Sequence, residues 1–484
     1  MKRSSLGLNA FLNGLRSLLN LLFPLITFPY VSRVLSVDGM GKYNFANTYI
    51  KYFLLIAALG INTYAIREGA SFRDNKKLIS RFVSQIFTIN IYSTLIAYLL
   101  LILSLIIFGS LHNYISTILI FSLQMIFTTI GVEWVFNIYE KYTYITVRSI
   151  IFKIISVILL FLIVRKPNDY LWYAGITVFA TVGSNLLNFI YVKSFCNIKL
   201  VLHTKLRKHL KPILILFATA AAVNIYVSSD VTVLGIIKND YDVGIYTIAV
   251  SIYGITTDLM SAIITVTIPR LANLIGNGKK KEYNKILMEL INTLSLITLP
   301  AMVGLIMLSK EIILIIAGKH YLPAVSSLQI ICFAMFFSLF SFVFNQCVLI
   351  PTKREKIALR NTVLTAILNI VLNLLFIPAL SYNGTSLSTV ISQVVVMVLN
   401  GWAGKDIIGK ILFSQKVYRN LFSSFLGCLG IIGICLMCKV LFTSLIVKTI
   451  VSIIFSVFIY TLILILCKNE LAIKVLRRLQ NFIC

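Results

Sequence analysis

Apolar runs long enough to cross a bilayer follow one another along this chain almost without pause, and that succession limits the fold more than any motif does. A hydrocarbon core of about 30 Å needs about 20 apolar residues per helix. Such runs lie near 11–34, 44–66, 82–108, 114–136, 144–164, 170–192, 212–237, 243–268, 284–308, 324–349, 357–377, 382–402, 421–439 and 442–467. The pattern predicts an all-α polytopic membrane protein of about fourteen spans. Composition agrees: 59% of residues are apolar and 12% charged, against roughly 25% charged in a soluble domain. The length of 484 residues would allow several soluble domains, yet no stretch reads as one.

The net charge of +28 would suit nucleic acid if its placement did not argue otherwise. With the amino terminus inside, the outward basic residues are Arg33, Lys42, Arg165, Lys166, Lys238, Lys310, Lys319, Lys439 and Lys448. Most others occupy the termini, the alternate loops or their helix ends, which is the positive-inside pattern. Both termini are therefore expected in the cytoplasm, and nucleic acid is not expected as a partner. The first run is too long for a cleavable signal, carries Arg16 and Pro24, and lacks a small-residue cleavage pattern. Eight cysteines lie mostly in spans, Cys435 and Cys438 among them, where buried thiols are the expected state.

An internal repeat is visible without gaps. Gly41-Lys42-Tyr43-Asn44-Phe45-Ala46 opens one span and Gly244-Ile245-Tyr246-Thr247-Ile248-Ala249 opens another, both reading G-x-Y-x-x-A. Ile66-Arg67 and Pro269-Arg270 close these spans at the same offset, each before a basic loop. Six intervening spans preserve orientation, so the repeats are parallel. The expected organisation is a six-helix bundle over 1–200, a second over 201–404, two appended helices over 405–467 and a tail over 468–484. In that tail Leu471, Val475, Leu479 and Phe482 share a helical face among basic residues, as in an amphipathic helix on an anionic leaflet. Outward loops are short. The longest, near 309–323, holds Ile312–Ile316, too short to span and expected as a partly buried or interfacial turn.

Charges within spans carry the functional reading, since one at mid-membrane costs about 2.5–3.5 kcal/mol even on lenient scales. They are Arg16, Lys51, Glu133, Lys153, Asp230, Asp258 and Glu289. Arg16, Glu133 and Glu289 lie close enough to a cytoplasmic end to snorkel. Lys51, Lys153 and Asp258 lie deeper, where a hydrated cavity or a buried ion pair is expected; Asp230 is within reach of the outer interface. Cations Arg16, Lys51 and Lys153 in the first half would line it for a phosphate or pyrophosphate. A structural pair such as Lys153 with Glu133 fits the same residues. Pro24 and Pro29 interrupt the first span and predict a bend, either a gate or a packing feature. Trp134, Trp172 and Trp402 read as interface anchors. The histidines at 112, 203, 209 and 320 have no metal-ligand spacing on a common face. A G-x-x-x-x-G-K-[ST] loop is absent, as is any nucleophilic or acid–base constellation, so neither an ATPase nor another enzyme is expected and no cofactor is called for.

Phe28-Pro29-Tyr30-Val31-Ser32-Arg33-Val34-Leu35, with Gly39 and Gly41-Lys42-Tyr43, resembles the opening of Wzx-type polysaccharide repeat-unit flippases. Glu133-Trp134-Val135-Phe136, then Glu140 and Tyr142 to Lys153, resembles the same family. Its relatives in the superfamily export teichoic-acid units, lipid II or drugs. The resemblance implies transfer of an undecaprenyl-pyrophosphate-linked oligosaccharide between leaflets of the bacterial inner membrane, by alternating access driven by an ion gradient. It makes Arg16, Lys51 and Lys153 the diphosphate candidates, with Arg33 at the outer mouth. Glu133, Asp230 or Asp258 would couple to H+ or Na+. A polysaccharide polymerase and other assembly proteins would be partners beside membrane lipids. The rivals are a drug–cation antiporter, which would want an acidic cavity, and a membrane polymerase, which usually carries a large outer loop.

Overall fold

The computed structural model describes residues 23–24, 26–201, 207–412, 414–469 and 472–473. Arg16, most of the first expected span and nearly all of the expected amphipathic tail lie outside these residues. Among the described residues there is no strand. Eleven helical segments are long and apolar enough to cross a membrane, or twelve if a pair bent by 57°, Lys208–Ala222 with Val227–Ile237, counts as one span. The all-α polytopic reading is borne out. The count of fourteen is not confirmed among the described residues; Glu355–Ala403 is two helices that meet at a kink at Ser381, between the expected spans 357–377 and 382–402.

Contacts divide the chain into two compact units, Met1–Gly244 and Ile245–Cys484. In the first, a helical segment over 26–34 runs through Pro29 and leads to α1 (Val37–Ala58). Ser36 caps α1 by accepting a hydrogen bond from Gly39 N at 3.0 Å. Leu59 and Gly60, both left-handed, turn the chain into α2 (Ile61–Gly69). Asn75 caps α3 (Lys76–Ile107) by accepting from the amides of Lys77 and Leu78. Then come α4 (Ile115–Gly131), α5 (Glu133–Ile138), α6 (Tyr142–Ile163), α7 (Tyr170–Val182), α8 (Asn185–Tyr191) and α9 (Arg207–Ile237).

Helix α1 is the hub, packing on α3, α4, α7 and α9. Polar side chains fasten it where water is absent and the hydrophobic effect cannot drive helices together. Asn90 Nδ2 and Ser93 Oγ of α3 both donate to the Ala57 carbonyl, at 2.8 and 2.6 Å. Thr94 and Thr129 join α3 to α4 at 2.6 Å. Tyr52 and Thr232 join α1 to α9 at 3.0 Å.

The G-x-Y-x-x-A residues have a packing reason. Helix α10 (Asp240–Gly276) begins in the first unit and meets α1 there. A Cβ on Gly41 would lie 1.8 Å from the Asp240 carbonyl oxygen, and one on Gly244 would lie 2.3 Å from that of Val37. Asp240 stands four residues before Gly244, and Val37 four before Gly41, so each glycine admits the backbone of the other's helix at the same register. Tyr43 is buried, stacks on Tyr173 at 4.3 Å and bonds Thr177 at 3.0 Å. Ala46 and Ala249 are fully buried.

The second unit continues α10 and adds α11 (Lys280–Met307), α12 (Ser309–Ile316), α13 (Ala324–Val343), α14 (Glu355–Ala403), α15 (Lys405–Leu412), α16 (Gln415–Leu441) and α17 (Leu445–Leu466). Helix α12 is the short segment expected as a partly buried or interfacial turn, with Ser309, Glu311 and Ile313 buried. A π-helical stretch, Phe344–Leu349, follows α13, and the Cys347 carbonyl accepts from Tyr283 Oη at 2.7 Å. Inside α14, Ser381 has φ 49° and ψ −130°, three residues after Pro378. Asn361 donates to Asn400 across this break at 3.0 Å, and Asn400 donates to Ser341 of α13 at 3.2 Å. At the α14–α15 junction Arg354 grips Asp406 with both nitrogens, at 2.7 and 2.8 Å. These bonds hold the Asp406 carboxyl below the usual carboxylate range.

Candidate functional site

The sequence between α4 and α6 builds the most constrained site in the first unit. Val132 separates α4 from α5 with φ 37° and ψ 40°, a left-handed conformation that a β-branched residue adopts only under strain. Val132 is fully buried, so surrounding packing enforces that strain. Gly131, next to it, admits Asn185 of α8: a Cβ there would lie 2.5 Å from the Asn185 side chain. The turn delivers Glu133 to the first position of α5.

Glu133 Oε2 accepts from Arg148 Nη2 of α6 at 3.3 Å. The Arg148 side chain is 5% exposed and that of Glu133 31%. Arg148 Nη1 also donates to the Ser184 carbonyl at 3.5 Å, and its guanidinium lies 5.7 Å from the Tyr144 ring centre. Below this pair Glu140, itself at φ 54°, accepts from Arg73 at 2.8 Å. Both glutamates of the motif are thus tied to arginines from other segments. Removing one partner of such a buried pair costs about 3–5 kcal/mol, less here because Glu133 reaches solvent.

Other sequence candidates are placed as follows. Lys51 lies on α1 and is exposed on the surface of the chain. It has no carboxylate partner among the described residues. Lys153 is half-buried on α6, its Nζ 5.9 Å from the Phe23 ring centre. Asp230 is buried on α9, the helix that α1 packs against. Arg33 is exposed at the end of the 26–34 segment, Pro24 is exposed and Pro29 half-buried. In the second unit Asp258 and Glu289 are both exposed. Lys51 and Asp230 therefore share neighbouring helices, Glu133 meets Arg148, and Arg16 lies outside the described residues.

Two charged residues escaped the sequence reading. Arg148, taken as a helix-end charge, is the most buried cation among the described residues. The signal for it was a carboxylate, Glu133, inside a span, for which the sequence offered Lys153 as a partner; the structure gives it Arg148 instead. Glu311 on α12 is 2% exposed, and its Oε1 lies 3.1 Å from Lys448 Nζ at the start of α17. Its Oε2 is buried without a hydrogen-bond partner. Nothing in the local sequence distinguishes it from a loop carboxylate.

Comparison with known proteins gives a consistent result. A family model described as "Polysaccharide biosynthesis protein" matches residues 6–275, and the MatE model matches 215–375. The chain is 27% identical over 370 residues to a putative O-antigen transporter of Shigella dysenteriae, covering 72% of this chain and 88% of that protein. It is 23% identical over 376 residues to the capsular polysaccharide biosynthesis protein CapF of Staphylococcus aureus, covering 76% and 91%. In fold it is similar to the lipid II flippase MurJ in an inward closed conformation, with TM-score 0.71, 17% identity and coverage of 95% and 99%. It is also similar to an inward-facing multidrug resistance MATE family transporter of the MOP superfamily, with TM-score 0.59, 13% identity and coverage of 81% and 96%. With more than half of its length matched by the family model, the chain belongs to the polysaccharide biosynthesis protein family, and the Wzx-type resemblance read from Phe28–Leu35 and Glu133–Phe136 is borne out.

Proposed function

We propose that this chain is a flippase that moves a lipid-linked, diphosphate-bearing oligosaccharide from the inner to the outer leaflet of a bacterial inner membrane. The observation that carries the reading is Lys51, a cation well inside a span and without a carboxylate partner among the described residues. In hydrocarbon such an ammonium costs several kcal/mol unless water or an anion meets it. Lys153 adds a second cation in the same unit, and Lys groups bind phosphate as point charges. Relatives named as O-antigen transporter and glycan flippase support the substrate class.

On this reading Arg16, Lys51, Lys153 and Arg33 meet the substrate, and Glu133, Asp230 or Asp258 couples transport to an ion. The repeat halves 1–200 and 201–404 alternate access, Pro24 and Pro29 let the first span bend, and both termini face the cytoplasm. The protein performs no covalent chemistry. Deleting the gene should abolish surface polysaccharide while lipid-linked repeat units accumulate on the cytoplasmic side. Lys51→Met should reproduce that loss, and Lys51→Arg should restore at least part of it. Accumulation of the units on the outer face instead would point to a polymerase and end the transport reading.

A further inference from the structure

The first unit contains a cavity of about 190 Å³ that none of the transport candidates lines. Its walls are Phe72, Leu78, Arg81, Phe82, Gln85, Lys208 and His209, from the start of α3, the turn before it and the start of α9. A water needs only about 10–15 Å³ measured this way, so the space accepts a whole chemical group.

The floor is fixed. His209 is 7% exposed and bonded through both ring nitrogens, Nδ1 to Tyr64 Oη at 2.7 Å and Nε2 to Gln85 Oε1 at 3.0 Å. Since the Gln85 oxygen only accepts, Nε2 donates and Nδ1 accepts from the tyrosine hydroxyl, which ties α2, α3 and α9 together. The sides are apolar: Phe72 and Phe82 are 5.5 Å apart between ring centres, and Leu78 is exposed.

The rim carries Arg81 and Lys208, both exposed. Neither has a carboxylate partner among the described residues, whereas nearby Arg67 and Arg73 are occupied by Glu68 and Glu140. Two unpaired cations over an apolar, aromatic-walled pocket need a ligand with an anionic head and an apolar body. The guanidinium offers a fork to phosphate oxygens and the ammonium a point charge. Basic pockets between membrane helices next to a cytoplasmic leaflet suit phospholipid headgroups, and above Leu78 the helix α3 presents an exposed apolar surface at Leu95, Ile96 and Leu99.

We propose that this pocket binds the phosphate of an anionic lipid, with Arg81 and Lys208 on the phosphate and Phe72, Leu78 and Phe82 against the glycerol–acyl region. The site is independent of the transported substrate. To test it, the full-length protein is purified in a neutral detergent and titrated with dioleoyl phosphatidylglycerol, and bound lipids are counted by native mass spectrometry. Arg81→Ala with Lys208→Ala should weaken the tightest binding by roughly 10- to 30-fold, the effect of removing two interfacial cations. Lys280→Ala with Lys281→Ala, an exposed basic pair elsewhere, should leave it unchanged. Arg81→Gln with Lys208→Gln provides the same test if the alanine pair loses thermal stability. Displacement of the lipid by inorganic phosphate at comparable concentration would keep the phosphate site and assign it to the free ion. Equal binding of dioleoyl phosphatidylcholine, undiminished affinity in the pocket variants, or an equal loss in the control pair would overturn the proposal.

Discussion

Replacing Lys448 by Met should destabilise the second unit by an amount set by the buried carboxylate it abandons. Glu311 is 2% exposed, its Oε1 faces Lys448 Nζ at 3.1 Å, and its Oε2 already lacks a partner. Without the ammonium the carboxylate is left uncompensated in a dry site, at about 3–5 kcal/mol. That is the expected loss at neutral pH. Lys448→Met combined with Glu311→Gln should lose much less than Lys448→Met alone at pH 7. The measurement is reversible unfolding in mixed detergent micelles at pH 7 for the wild type, both single variants and the double variant. A loss under about 1 kcal/mol, or a double variant that loses as much as Lys448→Met alone, would refute the reasoning.

Gly41→Ala should cost about 1–3 kcal/mol or block folding, because its Cβ would enter the Asp240 carbonyl. Gly244→Ala acts at the same crossing, so the double variant should lose less than the sum, read from thermal stability and membrane yield. Asp406→Asn should remove a contribution that is present above the ordinary Asp titration range and lost as pH falls through the lowered folded value. Because Asp406 is half-exposed the effect stays under about 1 kcal/mol, so wild type and variant should differ at pH 7 and converge near pH 3. Reporter fusions after Lys238 and after Lys281 should report the outside and the inside respectively; the reverse would overturn the orientation read from loop charge.

Helices were legible because a bilayer imposes length and apolarity on each segment by itself, and those are local properties of sequence. The same logic made Lys51 visible, since a charge in such a run stands out whatever surrounds it. The Gly41 and Gly244 motif was legible as a repeat, though its reason, reciprocal close approach, needed the fold. Partners were not legible. Glu133 meets Arg148 only because the Val132 turn and the Gly131–Asn185 contact bring α5 and α6 together. Glu311 is buried by α17, far along the chain, so its short helix read as a loop. The break at Ser381 was legible as the gap between two expected spans, although its left-handed φ was not, because hydropathy does not report a backbone angle.

The asparagines of α14 bear on how the chain enters the membrane. Its first limb carries Asn361, Asn369 and Asn373, all buried, so as a lone segment it would expose three amides to lipid. Asn400, which accepts from Asn361, lies in the second limb, and Ser341, which accepts from Asn400, lies in the preceding helix. Synthesis delivers Ser341 first, then the three asparagines, and the bridging Asn400 last. The first limb is therefore poorly suited to partition alone as it leaves the insertion machinery, and it gains its amide partner only when the second limb follows it. The contacts therefore favour insertion as a hairpin, with Ser381 at its apex and α13 as the surface against which it closes.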